Sequence, residues 1–197
     1  MGISQLKKKL KMAKKRSFIK QFWEDKQMIG SVRPSSSFLA EKMLKHIDFN
    51  TDKIIVELGP GTGVFTEKII AKMGVDSKLL VFELNKTFIR NLRKTIKDDR
   101  VILINDSAEK IEEYLIKYSL HKADVIISSL PLSNFPQELK ETIVQNSHKA
   151  LKTFGKYIQF QYSRSNKEFF RSIFDKVSIG YTVLNFPPAF VFNCEKH

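Results

Sequence analysis

From residue 53 onward the chain alternates short apolar runs with longer stretches of mixed polarity. KIIVEL, LLVFEL, VILIND and ADVIIS are rich in Val, Ile and Leu and too short for helices, which marks them as buried strands. The pattern predicts strands near 53–58, 79–83, 101–105, 123–129 and 156–162, then a pair near 176–184 and 188–194. Helical stretches fall between them, one beginning near Val64, and another covers Ser37 to Ile47. Continuous apolar runs belong to strands covered on both faces, as in parallel sheets. The order therefore predicts an α/β fold: seven strands in an open, doubly wound sheet, mostly parallel, with the last hairpin adding an antiparallel strand. No internal repeat or low-complexity linker interrupts residues 34–197, which read as one domain.

Residues 1–33 follow a different pattern. At 100° per residue Ile3, Leu6, Leu10 and Ala13 fall on one narrow stripe of a helix, flanked by Lys7 and Lys14. Lys8, Lys11, Lys15 and Arg16 fill the other faces. Phe18, Ile19, Phe22 and Trp23 form a second cluster out of phase with the first, so a break is expected near Ser17. Ten Lys or Arg stand in this segment against Glu24 and Asp25, while the whole chain carries +13. Such an arm suits a solvated helix packed by its apolar edge, a nucleic-acid arm, or a helix lying on an anionic membrane. The apolar stripe favours the membrane, since an arm that only follows phosphates needs none. Ile3, Leu6, Lys7, Leu10, Lys11 and Lys14 are then its membrane-binding residues.

The 42% hydrophobic content of the 197 residues is enough for a real core. The single Cys194 forms no internal disulfide and points to a reducing compartment. Four scattered histidines without ligand spacing argue against a metal site. No stretch approaches the roughly 20 apolar residues that cross a bilayer, and no apolar segment follows the basic N-terminus as a secretory signal requires. A cytoplasmic, peripherally membrane-associated protein is expected.

VELGPGTGVFT, residues 56–66, carries the most specific chemistry. A strand runs into Glu57, then Gly59, Gly61 and Gly63, then a helix. Closely spaced glycines at a strand-to-helix turn bend the backbone sharply and let a ligand approach. Glu83 ends the second strand, where a carboxylate accepts hydrogen bonds from both ribose hydroxyls. Asp106 follows the third strand, placed to meet an adenine amino group. Nicotinamide dinucleotides set a pyrophosphate at such a turn, and Glu57 would repel it. The same carboxylate suits the sulfonium and amino group of S-adenosyl-L-methionine.

With these motifs the chain resembles the Rossmann-like class I S-adenosylmethionine-dependent methyltransferases. More narrowly, it resembles the bacterial phospholipid N-methyltransferases, which convert phosphatidylethanolamine into phosphatidylcholine. IGSVRPSSSFLA (29–40), SSLPLSNFP (128–136), YIQFQYS (157–163) and NFPPAFVF (185–192) carry the narrower likeness. The resemblance implies a donor site of Glu57, Gly59, Gly61, Gly63, Glu83 and Asp106, with Ser128 beside it. It also implies a membrane-docking N-terminal helix over residues 3 to about 16.

Ser128, Ser129 and Leu130 are expected to orient the acceptor amine through backbone carbonyls, with Tyr162 or Phe135 facing the growing cation. Arg33, Ser35 and Ser36 are expected to hold a lipid phosphate. No general base is evident; Tyr157, Tyr162 and His46 are the candidates. The number of methyl groups added and the oligomeric state are not legible.

Ribosomal RNA adenine dimethyltransferases share the glycine turn and supply the alternative, with a nucleic-acid substrate. Two departures speak against it. Where such enzymes place Asn or Asp and an aromatic residue to hold a flipped base, this chain has Ser129 and Leu132. They also carry a helical RNA-binding domain after the sheet, for which the chain ending at His197 is expected to leave no room.

Overall fold

The computed structural model describes residues 37–182 and 187–197. Seven strands form one sheet: β1 Ile54–Leu58, β2 Lys78–Phe82, β3 Val101–Ile104, β4 Ala123–Ser128, β5 Leu151–Gln161, β6 Lys176–Thr182 and β7 Ala189–Glu195. Their order across the sheet is β3-β2-β1-β4-β5-β7-β6. The pairs from β3 through β5 are parallel, and β7 runs antiparallel to both neighbours. This is the expected Rossmann-like methyltransferase sheet.

The helices are α1 Ser37–Leu44, α2 Val64–Lys72, α3 Lys86–Thr95, α4 Ile111–Lys117, α5 Gln137–Ala150 and α6 Lys167–Arg171. Strand side chains alternate between the two faces. Ile55, Leu79, Val81, Val125, Ile127 and Ile158 pack with Leu39 and Met43 of α1 and Phe65 and Ile69 of α2. On the other face Phe82 meets Tyr114 of α4 edge-on, and Tyr157 meets Phe170 of α6. The sheet is thus buried on both sides, as its continuous apolar runs require.

Two expectations need correction. The first helix stops at Leu44, because His46 N–H and Ile47 N–H reach back only three residues, to Met43 and Leu44, and tighten the chain into turns. The fifth strand begins at Leu151 rather than 156. Its pairing with β4 shifts register between Ala123 and Val125, and Phe154 sits at φ 62°, so the alternation is broken there. The sixth strand is described over Lys176–Thr182, and the rest of its expected span, 183–184, lies outside the described residues.

Parallel order brings the carboxyl ends of β1, β2, β3 and β4 to one edge, with β1 at the point where the order reverses. Ligands of open α/β sheets bind in that crevice.

Candidate active site

The glycine turn leaves β1 and enters α2 with every glycine in left-handed conformation: φ is 71° at Gly59, 58° at Gly61 and 92° at Gly63. Gly59 N–H donates to the Phe82 carbonyl at 2.9 Å, and Gly63 N–H closes the turn onto the Pro60 carbonyl at 3.0 Å. A Cβ on Gly59 would stand 2.8 Å from Leu130 Cδ2, and one on Gly63 would stand 2.7 Å from Leu92 Cδ2. Around Gly61 nothing lies within 4 Å of that position. Two glycines thus serve packing, and the middle one faces open space.

Glu57 is fully buried on the α2 face, and its Oε2 accepts the Thr66 hydroxyl at 2.7 Å. Its other oxygen, Oε1, is buried without a partner among the described residues. Burial pushes the carboxyl up to about 8, against the Thr66 hydrogen bond and aided by the charge of Glu83. Glu83, also buried, accepts Asn85 N–H at 2.7 Å and Gly61 N–H at 3.2 Å. Burial raises it to about 7, with these hydrogen bonds opposing. Asn105 Nδ2 donates to the Glu83 carbonyl at 2.7 Å and fixes the strand end.

Asp106, just past β3, accepts Ser107 N–H at 2.8 Å, Lys110 Nζ at 2.8 Å and the Tyr114 hydroxyl at 3.0 Å. Burial works upward there, but these donors win and hold it below the usual carboxylate range. Neither Glu83 nor Asp106 is itself a helix cap: Asn85 and Ser107 do that work beside them. Both carboxylates keep lone pairs for hydroxyl and amino donors.

Across the crevice, Ser129 N–H donates to the Leu58 carbonyl at 2.9 Å, which ties the end of β4 to β1. Ser128 is fully buried, and its Oγ accepts Leu130 N–H at 3.3 Å. The Leu130 carbonyl accepts Gln159 Nε2 at 3.0 Å and Leu132 N–H at 2.9 Å. Both its lone pairs are used, so this carbonyl is not the amine acceptor it was expected to be. Ser129 Oγ is buried with no partner among the described residues. Leu132 is packed entirely inside.

Tyr162, one residue past β5, is 54% exposed and meets the Phe160 ring edge-on at 5.8 Å. Phe160 in turn stacks on Phe65 at the start of α2. Phe135 is half-buried beyond the turn. Two base candidates fall away. His46 follows α1 at the amino edge of the sheet, its carbonyl accepting Lys156 Nζ at 2.9 Å. The Tyr157 hydroxyl is fully buried, and burial drives it far from ionisation. Arg33, Ser35, Ser36 and the arm residues Ile3, Leu6, Lys7, Leu10, Lys11 and Lys14 lie outside the described residues.

Three residues around the site were missed. Thr66, three residues past the last glycine, orients Glu57. Gln159 and Gln161 interrupt an otherwise apolar strand in YIQFQ, and that interruption was the available signal.

The orphaned Glu57 oxygen, the open space at Gly61 and the carboxylates of Glu83 and Asp106 fit S-adenosylmethionine: a cationic sulfonium and amine, ribose hydroxyls, and an adenine amino group. Fold and site together define a class I S-adenosylmethionine-dependent methyltransferase. The chain belongs to the ribosomal RNA adenine dimethylase family, whose model matches residues 15–167.

It is 27% identical over 179 residues to an ornithine lipid N-methyltransferase of Singulisphaera acidiphila, covering 90% of this chain and 93% of that one. It is 25% identical over 134 residues to a ribosomal RNA small subunit methyltransferase A of Ureaplasma parvum, covering 66% of this chain and 47% of that one. The chain thus spans nearly all of the first relative and about half of the second. A 16S rRNA methyltransferase of T. thermophilus, solved with AdoMet and guanosine, shares the fold with a TM-score of 0.63 at 15% identity, covering 85% of this chain and 44% of that one.

Proposed function

We propose that this protein methylates the amine of a membrane-lipid headgroup, with phosphatidylethanolamine and its partly methylated forms, or an amino-acid lipid, as acceptor. The observation that carries this is the turn from Ser129 to Leu132. It offers a hydroxyl where a base-flipping enzyme needs an amide, and Leu132, at the aromatic's place, is sealed inside and cannot stack on a base. A flexible alkylamine needs only a narrow apolar collar and an oxygen facing its nitrogen. The near end-to-end match with an ornithine lipid N-methyltransferase supports the same choice.

The carboxyl edge also carries a rim that suits a membrane interface. Tyr162 and Tyr181 are about half exposed, and the Arg164 guanidinium lies 4.8 Å over the Phe190 ring. Tyrosine and arginine pair an apolar body with a polar tip, as headgroup depth demands. The basic arm of residues 1–16 is proposed to hold the protein there, each lysine near an anionic surface contributing about 1 kcal/mol. No helix among the described residues is long and apolar enough to cross a membrane.

When bound, S-adenosylmethionine supplies an electrophilic methyl group. A neutral acceptor nitrogen would take that methyl group and shed its proton to water. Glu57 would hold the donor's positive end, Glu83 its ribose, and the Ser129 oxygens would orient the nitrogen. Most of the acceleration would come from holding the reacting groups in place.

The test offers radiolabelled donor, in one reaction, to anionic vesicles containing phosphatidylethanolamine or ornithine lipid and to ribosomal RNA. Label in the lipid supports the proposal. Label in the RNA alone overturns it in favour of an adenine methyltransferase, the activity for which the family is named.

A further inference from the structure

Leu130 is held on both sides by buried side chains. Its N–H donates to Ser128 Oγ at 3.3 Å. The Tyr157 hydroxyl donates to Gln159 Oε1 at 2.9 Å. Gln159 Nε2 donates to the Leu130 carbonyl at 3.0 Å and also reaches the Phe160 carbonyl at 2.7 Å. Ser128, Tyr157 and Gln159 have no exposed surface.

Buried polar groups on a central strand are costly unless every bond is made, and a leucine would fill the Gln159 position without that demand. What these bonds achieve is to fix the backbone of one residue at its N–H and its C=O together. That residue matters because the Leu130 side chain rests against Gly59 of the donor turn, while its neighbour Ser129 carries a buried hydroxyl with no partner among the described residues.

We propose that Gln159, oriented by Tyr157, is a positioning residue for methyl transfer: it locks the Leu130 backbone so that Ser129 presents its oxygens to the acceptor nitrogen in line with the donor. The proposal rests on the methyltransferase activity and holds whether the acceptor is a lipid or an RNA.

Three full-length variants test it: Tyr157→Phe, which removes one hydroxyl; Gln159→Leu, which removes the amide; and Gln159→Glu, which can donate only while protonated. Turnover is measured on whichever acceptor the wild type labels, beside donor affinity, melting temperature and amide exchange over residues 129–135. Misplacing the reacting atoms by about an ångström lowers turnover by about 100-fold, and that loss is expected for Gln159→Leu. Donor affinity stays at the wild-type level, and exchange over 129–135 speeds up. Tyr157→Phe gives a smaller loss with its fold intact.

At saturating donor, the turnover of Gln159→Glu relative to the wild type at the same pH falls as the new carboxyl ionises, with faster exchange over 129–135 and at a pH where its melting temperature still matches the wild type, which a purely structural residue would not produce. Unchanged turnover and exchange in Tyr157→Phe and Gln159→Leu overturn the proposal. So does a loss that tracks melting temperature and donor affinity. The wild-type label alone decides between lipid and RNA, so failure of the lipid assignment is read separately. If the wild type labels neither acceptor, unchanged exchange over 129–135 in Tyr157→Phe and Gln159→Leu overturns the proposal, and faster exchange supports it.

Discussion

Glu57 and Glu83 stand beside the donor turn with almost no water to solvate them, and burial raises both, to about 8 and about 7. A carboxyl that is easier to protonate in the folded chain than in the unfolded one adds stability at low pH. That contribution is complete below the ordinary carboxylate range and is lost as pH rises through about 7 and then about 8. The cationic donor needs the ionised form. Donor affinity should therefore climb between pH 6 and 8 while the unliganded protein loses stability across the same window. Calorimetric titration in buffers of different ionisation enthalpy should also show proton release on binding near pH 7.

Glu57→Gln keeps an acceptor for Thr66 but removes the charge. It should weaken donor binding by about ten- to a hundredfold, the worth of a charge-assisted hydrogen bond, and flatten the pH dependence attributed to Glu57. A donor affinity independent of pH would contradict the roles of both carboxyls. These residues were legible in the sequence because the signal is local: glycines within five positions of each other and acids at strand ends. The Tyr157–Gln159 pair was not legible, since it joins Leu130 to a residue 29 positions away and depends on strand pairing.

Among the elements, α3 shows how secondary structure serves the donor site. Asn85 caps it, its side chain accepting Thr87 N–H at 2.8 Å and Phe88 N–H at 3.2 Å, while its own N–H donates to Glu83. Asn85→Ala removes the cap and leaves the backbone donor. It should cost about 1 kcal/mol of stability, read as a shifted urea midpoint, with donor affinity nearly unchanged. A large loss of affinity without loss of stability would give the side chain a direct role in binding.

Element boundaries were legible where apolar runs end abruptly, as at Leu58 and Phe82. They were obscured where the backbone departs from regular pairing. Residues 151–155 fell outside the strand predicted near 156–162 because the positive φ of Phe154 and the shifted register with β4 break the alternation of β5.

For the molecule as a whole, strand order explains why one edge gathers the chemistry. Parallel pairing from β3 to β5 brings Glu57, Glu83, Asp106 and the Ser129 turn to the same side, and antiparallel β7 adds Phe190 to the rim near Tyr162 and Tyr181. The proposed membrane attachment by residues 1–16 makes a separable prediction. Deleting them should abolish sedimentation with anionic vesicles and leave donor affinity at the wild-type level. Equal loss of both would place the arm in the donor site instead. The doubly wound architecture was legible from the spacing of the strands. The acceptor was not, because the residues that choose it form a short turn whose meaning depends on what is buried around it.

The most direct test is the mass of the lipid product. Wild-type protein and Glu57→Gln are incubated with S-adenosylmethionine and vesicles of phosphatidylethanolamine, or of ornithine lipid, in an anionic matrix, and the extracted headgroups are weighed by mass spectrometry. Headgroups gaining mass in single-methyl steps with the wild type, and far more slowly with the variant, are the predicted result. Unmodified headgroups, from a protein that binds the donor and methylates ribosomal RNA in the same buffer, would contradict it.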